Sequence, residues 1–162
     1  MRSVRTSGTL EFLRGHWRAE RLITDFRSGQ TGSFTGTAVI AERPGGPAPS
    51  GHPARAAVPV PLAYEEQGEL RFGGHRGPAR RSLLLVPAAD GTAAVLFADG
   101  RPFFSLDLRT GVCTAEHPCG RDSYVVSVRV LGPDTYTERW RVTGPGKDYE
   151  MTTTLTRIGV AG

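Results

Sequence analysis

Residues 135–157 read Thr135-Tyr136-Thr137-Glu138-Arg139-Trp140-Arg141-Val142-Thr143, then Gly144-Pro145-Gly146-Lys147-Asp148, then Tyr149-Glu150-Met151-Thr152-Thr153-Thr154-Leu155-Thr156-Arg157. In the first part Tyr136, Glu138, Trp140 and Val142 fall on one side of an extended chain and the threonines and arginines on the other, the period of a half-buried strand. In the last part Tyr149, Met151, Thr153 and Leu155 alternate with Glu150, Thr152, Thr154 and Thr156. The glycines and proline between them supply the positive and preset φ values of a tight connection, so the stretch predicts a hairpin. Its anomaly is Glu138, a carboxylate on the face of Trp140. A charge on an inward face is costly unless paired, so Glu138 requires a partner, a proton or a ligand.

The same alternation spreads outward from this hairpin. Tyr124 to Val130 puts Tyr124, Val126, Val128 and Val130 on one side. Before it, Val112 to Glu116 is a strand, followed by a loop from His117 to Asp122. Pro102 to Leu108 and Ala93 to Ala98 pair around Asp99-Gly100-Arg101, an Asp-Gly hairpin signal. Arg80 to Val86 is a strand whose facing the pattern does not decide, set between turns at Gly73 to Pro78 and Ala89 to Thr92. Leu62 to Phe72 places Leu62, Tyr64, Glu66, Gly68 and Leu70 together, drawing a second carboxylate inward. Ser33 to Glu42 has Phe34, Gly36, Ala38 and Ile40 on one side, small residues that would leave room inside. His16 to Phe26 has Trp17, Ala19, Arg21 and Ile23 on one side, so if Trp17 points inward so does Arg21. Thr9 to Arg14 reads as a short helix stopped by Gly15, able to plug one end of a barrel.

Short turns between consecutive strands make a meander, and a long meander closes on itself to remove its edges. The expectation is an all-β, antiparallel up-and-down barrel of eight to ten strands with a short N-terminal helix, wide enough for a small ligand; a flat two-sheet sandwich is the alternative. The 162 residues are read as one domain. Within it, 41–57 is a Pro/Gly-rich loop or insertion. It carries four prolines that no ladder would hold, and its shortage of apolar residues favours a disordered insertion over a lid.

A net charge of +4 and a pI near 9.6 invite a nucleic-acid reading. The basic residues, however, are arginines scattered singly through strands, with Lys147 the only lysine and no basic run, so nucleic acid is not an expected partner. The N-terminus lacks the apolar core of a signal peptide, and no run of about eighteen apolar residues occurs. A soluble, cytoplasmic protein with no membrane partner is expected, with Cys113 and Cys119 as free thiols. The oligomeric state stays open.

On these facings the interior holds Arg21, Tyr64, Glu66, Tyr124 and Glu138 among Trp17, Phe34, Leu62, Trp140 and Tyr149. Arg21 paired with Glu138 or Glu66 would simply tie the barrel together. Alternatively the polar groups orient a ligand in a mostly apolar cup. Two carboxylates, an arginine and two phenols also have the parts for proton transfer, one buried carboxylate serving as acid or base. Cys113, His117 and Cys119 offer three ligands at a spacing foreign to zinc sites, so no metal is expected. No nucleotide or hydrolase motif occurs, and no cofactor is implied.

Several stretches together resemble an uncharacterised bacterial family, found largely in actinobacteria, whose fold is grouped with the lipocalin-like (calycin) barrels. They are Phe12-Leu13-Arg14-Gly15-His16-Trp17, Ile23-Thr24-Asp25 with Thr31-Gly32-Ser33-Phe34-Thr35-Gly36, Tyr64-Glu65-Glu66-Gln67-Gly68, Phe97 to Phe103, His117 to Tyr124 and Trp140 to Tyr149. The resemblance implies the fold and transfers no activity. This chain departs from the family pattern at Phe104, where the pattern has histidine, and at Arg81-Ser82-Leu83-Leu84, where it has an aromatic-rich strand.

Two functions fit. The first is a small-molecule-binding barrel, with Arg21, Trp17, Phe34, Trp140, Tyr149 and His117 contacting the ligand. The second is a cofactor-independent isomerase, cyclase or lyase, in which Glu66, Glu138, Tyr64 and Tyr124 move protons in the same cavity. A third, haem on His117, would show as a Soret band.

Overall fold

The computed structural model describes residues 4–43 and 60–159. A short helix α1 (Thr9–Leu13) precedes ten strands: β1 (Gly15–Asp25), β2 (Thr31–Ala41), β3 (Leu62–Phe72), β4 (His75–Pro87), β5 (Ala93–Phe97), β6 (Pro102–Leu106), β7 (Val112–Cys119), β8 (Asp122–Gly132), β9 (Thr135–Thr143) and β10 (Asp148–Arg157). They form one antiparallel sheet in the order β6-β5-β4-β3-β2-β1-β10-β9-β8-β7. The last strand therefore returns to pair with the first, Trp17 opposite Arg157 and Ile23 opposite Met151. The result is the expected meander, a nearly closed barrel with one seam between β6 and β7. A sandwich would need two sheets, and these strands make one.

The inward faces agree with the alternation read from the sequence. Trp17, Ala19, Phe34, Ala38, Ile40, Leu62, Tyr64, Val126, Val128, Val130, Tyr136, Trp140 and Leu155 are buried, and each fully buried Val, Leu or Ile contributes about 1.5–3 kcal/mol. Because the strands run antiparallel, the turns at 26–30, 73–74, 98–101, 120–121 and 144–147 gather at one end, the mouth. Helix α1 closes the other. Leu13 packs into the core there, and the Trp17 indole donates to the Leu13 carbonyl at 2.8 Å. Arg157 donates to the carbonyls of Phe12 and Arg14, each at 2.9 Å, satisfying groups that a helix end leaves open.

The N-terminal segment also ties down the connection between β6 and β7. The buried Thr9 hydroxyl accepts from the Leu108 N–H and the Thr6 hydroxyl donates to the Leu108 carbonyl, both at 2.9 Å. The seam is thus pinned at the closed end by side chains where a ladder is missing. Among the described residues no helix is long and apolar enough to cross a membrane.

The structure differs from the sequence reading in three places. The turn expected over Gly73 to Pro78 is only Gly73-Gly74, and His75 to Pro78 already belongs to β4, with Pro78 opposite Glu69. The proline is tolerated because β5 pairs only with Leu83–Pro87, leaving β4 one-sided there. The loop expected from His117 shortens to Gly120-Arg121, so His117, Pro118 and Cys119 lie in β7. Gly36 and Gly68 leave no ligand space. They face each other across β2 and β3, and a Cβ on Gly36 would stand 2.1 Å from the Gln67 carbonyl oxygen, so the pair serves the close, coiled approach of two strands. Finally, the 41–57 stretch falls, beyond residue 43, outside the described residues.

Candidate functional site

The barrel interior is built in three levels. Nearest α1 is apolar core. Around its middle lies a belt of charge contributed by β1, β3, β4 and β9. Above the belt the mouth opens as a cleft of ≈ 560 Å³ lined by Ile23, Leu70, Met151 and Tyr149 with rim residues Asp25, Phe72, His75, Gly146, Lys147 and Asp148. Ile23 follows Arg21 by two residues and Met151 precedes Thr153 by two, so the cleft starts about 6.6–6.8 Å above the belt.

Glu66 is the centre of the belt. It accepts both ends of the Arg21 guanidinium at 2.8 and 3.0 Å and the Tyr64 hydroxyl at 2.6 Å. The third Arg21 nitrogen, Nε, donates to Thr153 at 2.8 Å, and the guanidinium carbon sits 4.9 Å over the Phe34 ring. Both partners are nearly sealed, with 10% and 2% of their side-chain surface accessible. Burial pushes the Glu66 carboxyl pKa up, but the Arg81 charge, the Arg21 hydrogen bonds and charge and the Tyr64 bond outweigh it and hold the group below the ordinary carboxylate value. Glu66 is thus an ionised counter-ion. Burial keeps the Tyr64 phenol neutral, its pKa well above the ordinary tyrosine value, so it acts as a donor.

Arg81 is held differently. Its Nη2 stands 3.4 Å from Glu138, 3.4 Å from Tyr64 and 3.7 Å from Glu66, longer than the contacts of Arg21. Its buried Nε has no hydrogen-bond partner. Burial works against the charge, yet Glu138, Tyr64 and Glu66 raise the guanidinium pKa further above its ordinary value. Arg81 lies in the barrel wall at this level with 27% of its side-chain surface still accessible. A void of ≈ 30 Å³, about the volume of one water, is lined by Arg81, Glu138, Tyr64, Tyr136 and Phe104 among others. Glu138 receives the Trp140 indole N–H at 2.6 Å. The belt thus sets two guanidinium groups against two carboxyl groups, with Arg21 hydrogen-bonded through all three of its nitrogens and Arg81 keeping its Nε without a partner.

Rings fill the side of the barrel next to the seam. Phe103 is stacked between Phe97 (centroids 4.3 Å apart, planes at 17°) and Trp140 (5.0 Å, 15°), with His117 edge-on at 5.1 Å. At the mouth Lys147 donates to the Tyr124 hydroxyl at 2.7 Å and pairs with Asp122 at 2.9 Å, and those hydrogen bonds raise its pKa.

Of the residues singled out in the sequence, the belt brings together Arg21, Tyr64, Glu66 and Glu138, with Phe34 beneath Arg21 and Trp140 on Glu138. It does not include the others. Trp17 packs between Phe12, Tyr136 and Arg157 at the closed end. Tyr124 is at the mouth with Lys147, Tyr149 lines the mouth cleft, and His117 sits in the ring stack. Arg21 pairs with Glu66, and Glu138 is met by Arg81. Sequence reading missed Arg81 because Gly73 to Pro78 looked like one long turn. A two-residue turn at Gly73-Gly74 sets Phe72 opposite His75 and therefore Glu66 opposite Arg81, which was the available signal. Among the described residues no group of His, Cys, Asp or Glu is arranged to hold a metal.

Known proteins match this geometry at the level of fold. The S-type phycobiliprotein lyase of Guillardia theta superposes with a TM-score of 0.65 at 13% identity, over 93% of this chain and 91% of that one. A protein of unknown function from the DUF3598 family, from Nostoc punctiforme, superposes with a TM-score of 0.57 at 10% identity, over 98% of this chain and 51% of that one. At such identities the likeness is one of fold, which is that of lipocalin-like barrels. No curated protein sequence matches. One family pattern does, over residues 13–157, and the chain thus belongs to the family of unknown function DUF6314.

Proposed function

We propose that the protein is a small-molecule-binding barrel, which takes a mostly apolar ligand into the mouth cleft with a hydrogen-bond-accepting end directed down toward Arg81. The observation that carries this reading is the unequal use of the two buried arginines. Arg21 spends its donors at 2.8–3.0 Å on Glu66 and Thr153, as a structural tie does. Arg81, on the same interior level, has a buried Nε with no partner and only long contacts elsewhere. A buried donor without a partner is costly, and an incoming acceptor relieves that cost. The cleft above has a volume in the range of small-molecule sites and an apolar lining with few polar groups, the usual make-up of such sites.

The wall next to the ligand is Ile23, Leu70, Met151 and Tyr149, with Trp140 and Glu138 beside Arg81. In this reading Glu66 and Arg21 are scaffold. Glu66, ionised with a lowered pKa and engaged by three donors, has no proton to give and is a weakened base, so acid–base catalysis by Glu66 is not favoured. The reading also leaves Trp17 out of the ligand contacts.

The test is titration with 1-anilinonaphthalene-8-sulfonate (ANS), an apolar fluorophore carrying an acceptor group. Wild type should enhance its fluorescence saturably at one site. Leu70→Trp, which fills the cleft, should abolish the enhancement, and Arg81→Met should weaken affinity about tenfold or more, the order of one charge-assisted hydrogen bond. Undiminished binding by Leu70→Trp would refute the placement, and undiminished binding by Arg81→Met would refute the role of Arg81.

A further inference from the structure

We propose that the seam between β6 and β7 is a lateral gate through which the ligand of the barrel exchanges, with the Phe103 ring as its latch. The proposal rests on the small-molecule reading above and adds a route to it.

The seam is built so that it does not zip. The sheet ends at β6 on one side and β7 on the other, with no ladder between them. Among the described residues a thiol bridges it: Cys113 Sγ accepts from the Asp107 N–H at 3.4 Å and donates to the Ser105 carbonyl at 3.8 Å. Sulfur is a weak donor and a weak acceptor. Each free edge carries a proline in its mouth-side half, Pro102 at the start of β6 and Pro118 near the end of β7. A proline has no N–H to give a ladder, and prolines on edge strands keep them from pairing.

The closure is made of rings instead. The register of β5 with β6 sets Val95 opposite Phe104 and Leu96 opposite Pro102, skipping Phe103. Phe103 is therefore the extra residue of a bulge, and a bulge re-aims side chains. Phe103 and Phe104 both reach the Trp140 ring of β9, at 5.0 and 5.4 Å. Phe103 also stacks on Phe97 of its own hairpin and meets His117 of β7 edge-on, so among the described residues these ring contacts tie the mouth half of β6 to the far wall. Such contacts are non-directional and can be broken by one rotamer change or a small swing of the strand, whereas a ladder opens only as a unit. At the closed end Thr6 and Thr9 hold Leu108, which fixes the pivot.

The route leads to the right place. The Trp140 face that Phe103 covers belongs to the indole whose N–H is bonded to Glu138 at 2.6 Å, and Glu138 is the partner of Arg81. Withdrawal of Phe103 uncovers Trp140 and opens a side passage to the charged belt, which an acceptor-headed ligand would otherwise have to reach down the full depth of the cleft.

Cys113, half-buried in the closed seam, reports the opening through a change in its labelling rate, since its thiol is tied to Ser105 across the seam. In a Cys119→Ser background, which removes the exposed thiol, labelling of Cys113 by 5,5′-dithiobis(2-nitrobenzoic acid) should proceed under native conditions with little dependence on urea. Phe103→Ala should raise that rate by about tenfold, and should raise the association and dissociation rates of ANS together while its Kd stays within about threefold, the behaviour of a gate rather than a wall contact. Phe103→Leu replaces the alanine variant where alanine costs the fold. Labelling of Cys113 only at the rate of global unfolding overturns the gate. ANS rates unaltered by the Phe103 change, or a rise confined to dissociation, overturn the seam as the route. A wild-type protein that takes up no ANS fails the small-molecule reading itself, while opening of the seam is still decided by Cys113.

Discussion

Replacing Glu66 by glutamine tests the belt as a structural unit. The carboxylate is 2% accessible and carries the charge that compensates Arg21, from which it accepts two hydrogen bonds, and part of the charge of Arg81 at 3.7 Å. Glutamine keeps the shape but leaves two buried guanidinium groups opposite Glu138 alone. Breaking one side of such a pair costs about 3–5 kcal/mol. For a chain of this size each kcal/mol lowers Tm by about 2–4 °C, so a drop of roughly 6–20 °C is expected by calorimetry or circular dichroism. The cost should be recovered largely in Arg21→Met with Glu66→Leu, since a well-packed apolar pair often matches a buried ion pair in stability. The pH dependence fixes the sign. The folded pKa of Glu66 lies below its ordinary value of 4.5, so the stability it contributes is present in full above pH 4.5 and is lost as pH falls through the folded value. The gap between wild type and variant should therefore be widest near neutrality and narrow in acid. A loss below about 1 kcal/mol at pH 7, or a gap that widens on acidification, would refute the ion-pair argument.

Other consequences can be measured on the same preparations. Gly36→Ala should lower the urea midpoint by the equivalent of about 1–3 kcal/mol or more, because a methyl 2.1 Å from the Gln67 carbonyl oxygen meets backbone that cannot turn aside; an unchanged midpoint would refute the close approach. Thr9→Val leaves the Leu108 N–H without its acceptor and should cost about 1–3 kcal/mol, read from chemical denaturation, whereas a neutral outcome would mean the strap holds nothing. Burial raises the pKa of Tyr64 and Tyr136 well above the ordinary value, so in an ultraviolet titration at least these two of the four tyrosines should stay un-ionised at about pH 11 until the fold is lost. Full ionisation of all four in the folded protein would contradict their placement.

The barrel was legible in the sequence because its signal is local and repeated: alternation in six of the strands, and turn residues between the rest. The inward placement of Arg21, Glu66 and Glu138 followed from the same alternation. Partnership did not. Whether Arg21 meets Glu66 or Glu138 depends on which strands become neighbours after closure and on how the barrel coils, neither of which a strand carries in its own residues. Arg81 was lost for a narrower reason, since Pro78 read as a turn residue where it is an edge residue of β4. His117 was misplaced the same way, Pro118 suggesting a loop where the chain is an edge strand. The seam was hidden in the same two-sidedness, because Pro102 and Pro118 mark the two edges that do not pair, and a meander read strand by strand gives no reason to stop the ladder there.

Native mass spectrometry of the purified protein, compared with its denatured mass, tests the small-molecule reading most directly. A retained molecule, released on denaturation and lost from the Leu70→Trp and Arg81→Met variants, is the expected result. A chain that carries nothing, and whose mouth cleft takes up no ANS at saturating concentration, would contradict it and leave Arg81 as one more strut of the barrel.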